Sequence, residues 1–194
     1  MLDQCLGLSK ALNVIHGNDE SSPSYNDEAK YGIHSDIKPK NILWFRRSSS
    51  NLGTLQLADF GSTTFHSEET KSNNKIYAHT KTYAPPEVVC AEDTSRAFDI
   101  WGLGCVFLEF LSCLVLGSEN CPKTFATARS NATTAFQCRP EFQTPSSPIT
   151  FDTFYSSATP KSNSAGRSAV SVVVNEAVNE VKFPFTAVCL DHLF

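Results

Sequence analysis

Apolar residues in the first turns of the chain fall at Leu2, Leu6, Leu8, Leu12 and Ile15. That spacing is roughly helical and predicts a helix over residues 2–16. It stops at His16-Gly17-Asn18, where glycine and asparagine favour a helix end. Residues 17–31 are mostly Asn, Asp, Glu, Ser and Pro and predict an exposed loop. Ile42-Leu43-Trp44-Phe45 is an apolar run that suits a short buried strand. Arg46 to Gly53 reads as a polar turn, and Thr54-Leu55-Gln56-Leu57-Ala58 alternates with period two, which makes it the partner strand of a hairpin. From Ile100 to Gly117 the chain is almost continuously apolar, with Asp99 at its start and Glu109 in its middle. A charge at a bilayer centre costs about 2.5–3.5 kcal/mol, so the expectation is a core helix buried on all sides rather than a membrane span. From Ser118 onward Ser, Thr, Ala, Asn and Pro dominate. Residues 169–183 are valine-rich, but neither the helix nor the strand period is clean there.

Composition narrows the function classes. The 194 residues are 41% hydrophobic and 19% charged, enough for one domain with a core and a polar tail. A net charge of −4 and a pI near 5.7 argue against a nucleic-acid binder that relies on bulk positive charge. The seven cysteines are odd in number and form no C-x-x-C, so neither a disulfide framework nor a zinc site is expected. Met1-Leu2-Asp3-Gln4 has none of the basic and apolar character of a signal peptide. The expected setting is intracellular, cytoplasmic or nuclear.

Four short segments carry candidate chemistry. The first is His34-Ser35-Asp36-Ile37-Lys38-Pro39-Lys40-Asn41-Ile42-Leu43. It offers a carboxylate and, five residues on, a carboxamide, with a lysine between them. One loop can present such a pair to a single phosphate, the carboxylate orienting a hydroxyl and the amide oxygen holding a hard cation. The plain alternative is a surface charge pair of Asp36 and Lys38 in a turn. The second segment, Asp59-Phe60-Gly61, follows one hairpin later. The third is Thr80-Lys81-Thr82-Tyr83-Ala84-Pro85-Pro86-Glu87, whose Pro-Pro-Glu also suits a helix start. The fourth is Phe98-Asp99-Ile100-Trp101-Gly102-Leu103-Gly104-Cys105.

In this order the four segments resemble the catalytic loop, metal-binding aspartate, end of the activation segment and central helix start of the protein-kinase family. Lys38-Pro39 resembles the serine/threonine form of the loop. Small-molecule phosphotransferases similar to aminoglycoside kinases share the first motif and an acidic second one, but not the Pro-Pro-Glu and Asp-x-Trp pair. The acidic stretch before the loop is similar to insertions in a group of fungal kinases. The resemblance implies Asp36 as catalytic base and Lys38 as the cation facing the transferred phosphoryl group. It implies Asn41 and Asp59 as Mg²⁺ ligands and Thr80 as a catalytic-loop partner of Asp36 and Lys38. Glu87 would hold the segment through a buried ion pair, with Arg96, Arg129 and Arg139 as candidate partners. Asp99 would accept backbone N–H bonds from the loop. ATP and Mg²⁺ are the implied cofactors and a protein bearing Ser or Thr hydroxyls the implied partner, with no nucleic acid and no membrane.

The departures are specific. Ser35 replaces the usual arginine, His79 the glycine before Thr80, Pro85 an alanine and Gly102 a serine. Without that arginine, phosphorylation between Ser62 and Thr82 is not expected to switch activity through position 35. The resemblance covers residues 1–118 and implies a mainly α fold with a small β-hairpin, a kinase C-lobe with the N-lobe absent. Residues 119–194 are expected as a low-complexity or poorly ordered tail. No G-x-G-x-x-G occurs, and Lys10 and Lys30 are the only lysines before the loop. Two functions follow as expectations: a partial serine/threonine kinase, or an inactive, truncated pseudokinase-like interaction module.

Overall fold

The computed structural model describes residues 1–17, 31–47, 50–66, 79–90, 95–117, 121–140, 142, 152–159 and 170–181. Most of the acidic stretch before the loop, and residues 67–78 of the segment before Thr80, lie outside them. The fold is mostly helical with short antiparallel strand pairs. In chain order the elements are α1 (Leu2–Ile15), β1 (Tyr31–Ile33), β2 (Ile42–Arg47), β3 (Ser50–Leu57), β4 (Thr64–His66), α2 (Glu87–Cys90), α3 (Ala97–Leu116), α4 (Cys121–Gln137), β5 (Tyr155–Ala158), β6 (Ser171–Val174) and α5 (Glu176–Val181). Where one hairpin was expected, the described residues contain three two-stranded sheets, β1–β4, β2–β3 and β5–β6. The chain forms two compact units, one of residues 1–87 and 91–107, the other of residues 88–90 and 108–194.

In the first unit α1 buries Leu8 and Leu12, while Leu2 is 86% and Leu6 54% exposed. Positions 2 and 6 lie about a third of a turn from the 8–12 stripe on a helix advancing roughly 100° per residue. The five apolar positions therefore make two stripes, and the second faces outward. Gln4 fixes α1 to β3: its Nε2 donates to the Gly53 carbonyl and its Oε1 accepts from the Leu55 N–H. The β2–β3 hairpin pairs Ile42 with Leu57, Leu43 with Gln56, Trp44 with Leu55 and Phe45 with Thr54, with a bulge between Phe45 and Arg47. In this hairpin Leu57, at the root, and Gly53 are buried. Leu43, Trp44 and Phe45 are about half exposed, so β2 is not the buried strand its composition suggests. The core of the unit joins Leu8, Leu12, Ile33, Ile37, Phe98, Leu103 and Val106. Each such side chain contributes roughly 1.5–3 kcal/mol by leaving water.

Helix α3 is long and apolar enough to cross a membrane by length and composition. Its two acids are nevertheless used inside the protein. Asp99 is fully buried and hydrogen-bonded, and Glu109 accepts from Arg129. The helix is also not buried on all sides, since Ile100 is 61% and Leu114 60% exposed.

The second unit takes in parts of α2 and α3 together with the stretch expected to be a low-complexity tail, where the described residues form α4, β5, β6 and α5. The ambiguous valine-rich stretch resolves into both alternatives: β6 pairs with β5, and α5 begins two residues after it. Asn175 caps that transition, its Oδ1 accepting from the Ala177 N–H. Its Nδ2 donates to the Arg129 carbonyl, Thr133 Oγ1 and the Thr153 carbonyl. Arg129 lies between the rings of Phe125 and Phe154 and is paired with Glu109 and Asp152. A bond between Cys113 and Cys121 joins the end of α3 to the start of α4, a pairing that the scattered cysteine positions did not suggest.

Candidate active site

The loop from His34 to Asn41 is shaped from below by Asp99. The fully buried Asp99 carboxylate accepts the backbone N–H of His34 at 2.7 Å and of Ser35 at 2.8 Å. It also contacts His16 Nε2 at 3.0 Å. The expected backbone bonds to Asp99 are therefore present, and His16, which carried no assignment, is part of the same buried group. Presenting two consecutive N–H groups to one carboxylate bends the backbone. Ser35 has φ +71°, in the left-handed region. Arg96 extends this support, donating from Nη1 to the His16 carbonyl and lying over the Tyr31 ring.

The loop then turns Asp36 towards three donors. Lys38 Nζ donates to Asp36 Oδ2 at 2.6 Å and to Thr80 Oγ1 at 2.9 Å. Thr80 returns its hydroxyl to Asp36 Oδ1 at 2.8 Å and its backbone N–H to the same oxygen at 3.2 Å. Asn41 Nδ2 donates to the Asp36 carbonyl at 2.8 Å and to Oδ2 at 3.2 Å. Burial pushes the Asp36 carboxyl up, but the hydrogen bonds from Lys38, Thr80 and Asn41 and the lysine charge together hold it below its ordinary value. Asp36 is thus a carboxylate that stays ionised. It is braced by a lysine two residues on and by a threonine 44 residues away in sequence.

Asp59 reaches the site by a different route. The Ala58 N–H donates to the Asn41 carbonyl at 2.8 Å, which ties the end of β3 to the loop. The His34 ring contacts the Ala58 carbonyl through Nε2 at 3.2 Å and stands 5.2 Å from the Phe60 ring. Asp59 itself is exposed, has φ +64° and accepts from the Gly61 N–H. The structure brings Asp36, Lys38, Thr80 and Asn41 into one hydrogen-bonded cluster. Asp59 is one residue beyond the backbone bond that anchors it to Asn41, and it does not join that cluster. Phe60 is 52% exposed and leans on His34 instead of filling the core.

The chemistry of the donors suits Mg²⁺. Asn41 uses its amide nitrogen on Asp36, which leaves its side-chain oxygen for another partner. Asp59 is an accessible carboxylate. Hard oxygen donors of this kind, few in number and supplemented by water and phosphate oxygens, are how Mg²⁺ is held. Among the described residues no group of three or more His, Cys, Asp or Glu converges as a metal cage.

Comparison with known proteins decides the family. The protein kinase domain family matches residues 7–166. The chain belongs to the protein kinase domain family. This kinase chain is similar to a putative dual specificity tyrosine-phosphorylation-regulated kinase 3 homolog of Drosophila melanogaster, 37% identical over 82 residues, covering 41% of the chain and 9% of the relative. It is similar to cyclin-dependent kinase 15 of Danio rerio, 41% identical over 105 residues, covering 54% of the chain and 21% of the relative. It is also similar to cyclin-dependent kinase 14 of Mus musculus, 38% identical over 85 residues, covering 42% of the chain and 16% of the relative. The kinase chain therefore spans between 9% and 21% of the length of these relatives.

Proposed function

We propose that this chain supplies the phosphoryl-transfer residues of an ATP-dependent protein serine/threonine kinase, and that residues 1–118 are its C-lobe portion. The observation that carries the reading is the closed set of hydrogen bonds among Asp36, Lys38, Thr80 and Asn41. Three of these residues come from one loop and the fourth from a segment about forty residues later. A surface charge pair in a turn would not need the distant threonine or the buried aspartate underneath.

In this reading a substrate serine or threonine hydroxyl approaches Asp36. The carboxylate orients it and accepts its proton as the oxygen bonds to the γ-phosphorus of ATP and the bond from that phosphorus to the β–γ bridging oxygen breaks, with ADP as the leaving group. Lys38, held by both Asp36 and Thr80, offers positive charge to the equatorial oxygens of the transferred group. Asn41 and Asp59 contribute the oxygens that would hold Mg²⁺. When bound, that ion neutralises charge on the phosphates of ATP. Thr80 keeps the carboxylate and the lysine in register.

The test is phosphoryl transfer by the native polypeptide that carries this sequence, using labelled ATP and a mixed protein substrate. Asp36→Asn keeps the shape and removes the base. It is expected to lower turnover by about 10²–10⁴-fold, the usual worth of a positioned base. Undiminished transfer by a folded Asp36→Asn protein would reject the assignment, and no transfer by the native polypeptide itself would favour an interaction module.

A further inference from the structure

Helix α4 meets its sheet through polar bonds along one stripe of its surface. Gln137 Nε2 donates to the Ser157 carbonyl at 3.1 Å, and Thr133 Oγ1 accepts from Asn175 Nδ2 at 3.0 Å. Ala132 and Phe136 each precede one of these residues by one position, so they form the adjacent stripe, about 100° round the helix. Beside that stripe lies a cavity of about 300 Å³. It is bordered by Ala132, Phe136 and Arg139 from α4 and the turn after it, and by Val173, Val174 and Glu176 from β6 and the start of α5. Phe136 is buried, whereas Val173 is 41% and Val174 47% exposed. Apolar walls, a few polar groups and a volume of this size are what a small-molecule site requires.

The two charged residues at this cavity are exposed and opposite in sign. The ion pairs of the second unit, among the described residues, are those of Arg129 with Glu109 and Asp152. Arg139 and Glu176 take part in neither, although they border one space. The Arg139 guanidinium lies over the Phe136 ring, 4.9 Å from its centroid, which holds the cation at the cavity. We propose that the cavity binds a free α-amino acid with an aliphatic or aromatic side chain. Arg139 receives its carboxylate, since a planar guanidinium fork suits two oxygens. Glu176 receives its ammonium. The ligand's side chain covers Phe136, Val173 and Val174 and takes their apolar surface out of water. An apolar carboxylate alone would bring a like charge to Glu176, and an apolar amine would do the same to Arg139. The zwitterion answers both. Ala132 contributes through its small size, because a larger side chain there would occupy the space. The site is made wholly of second-unit residues and is independent of the phosphoryl-transfer reading.

Binding to the 194-residue chain tests this, with L-phenylalanine and L-leucine as ligands and saturation-transfer NMR and calorimetry as readouts. Both are expected to bind saturably and to compete with each other. 3-Phenylpropanoate lacks the ammonium and phenethylamine lacks the carboxylate. Each is expected to bind about tenfold more weakly than phenylalanine, the equivalent of about 1.4 kcal/mol. Arg139→Gln should weaken phenylalanine about tenfold without weakening phenethylamine, and Glu176→Gln should weaken phenylalanine equally without weakening 3-phenylpropanoate. Both residues are exposed, so these two variants keep the fold even where a bulkier change does not. Ala132→Phe, which fills the cavity, should abolish binding of both amino acids. Three results would each overturn the proposal: no saturable binding by the native chain, equal binding of phenylalanine by the native, Arg139→Gln and Glu176→Gln proteins, or binding of either single-charge analogue as tightly as phenylalanine.

Discussion

Ser35 shows how one residue records the demands of its neighbours. It holds φ +71° because its N–H and that of His34 both serve the Asp99 carboxylate. A residue with a Cβ pays about 1–2 kcal/mol for the left-handed region, and the Ser35 hydroxyl returns little, a long 3.4 Å bond to the Ile33 carbonyl. Ser35→Gly is therefore expected to stabilise the protein by about 0.5–1 kcal/mol, read as a higher urea midpoint. A lower midpoint would mean that the hydroxyl matters more than the backbone. Asp36 carries a pH prediction of its own. Its folded carboxyl lies below its unfolded value, so its stabilising contribution is present above that unfolded value, about 3.9, and is lost as pH falls through the folded one. The activity of the native polypeptide should accordingly show no acid limb from Asp36 above about pH 5, and Asp36→Asn should flatten the acid end of the stability curve. A stability loss between pH 5 and 7 that Asp36→Asn removes would contradict this. At this scale the site was largely legible. The resemblance named Asp36, Lys38, Asn41, Thr80 and Asp59, and the structure joins the first four. His16 was not legible, because nothing in a helix-end histidine says that an aspartate 83 residues away will lie beneath it.

Elements were legible where composition and period agreed. Helix α1 and the β2–β3 hairpin lie within a residue or two of their expected places at most of their ends. Helix α4 was missed for a physical reason. Its buried face is Cys121, Phe125, Arg129, Thr133, Phe136 and Gln137, a stripe at helical spacing in which three members are polar. A hydrophobic pattern cannot show a face whose burial depends on pairing Arg129 and bonding Thr133. The hairpin makes a sharper claim about its turn side. Gly53 has φ +63°, and a Cβ there would stand 2.3 Å from Trp44 Nε1. Its carbonyl also accepts from Gln4, which fastens α1 to β3. Gly53→Ala combines left-handed strain with overpacking and is expected to cost about 2–4 kcal/mol, measured by urea denaturation. A cost below about 0.5 kcal/mol, within the range of an ordinary surface change, would show that the indole moves aside freely.

For the molecule as a whole, the four motifs fixed the order of elements from α1 to α3, because each motif needs its own strand, loop or helix start to present it. Beyond α3 the sequence offered no such constraint. The second unit is organised around a buried cation, which composition reads as polarity. Arg129 is 1% exposed and stacked on Phe125 and Phe154, and it donates to Glu109 at 3.1 Å and to Asp152 at 2.7 Å. Its backbone carbonyl accepts from Asn175, which also caps α5. One side chain thus ties α4 to α3, to the start of β5 and, through Asn175, to the end of β6. Removing it leaves two carboxylates without their cation and two rings without their filler, a combination that typically costs 3–5 kcal/mol or about that. Arg129→Ala is therefore expected to strip hydrogen-exchange protection from the amides of α4, β5 and β6. Arg129→Lys restores the charge but not the planar stacked fork, so it should recover only part of that protection. Full recovery by lysine would mean that charge alone holds the second unit together. Unchanged protection in Arg129→Ala would mean that the aromatic and valine contacts suffice without either.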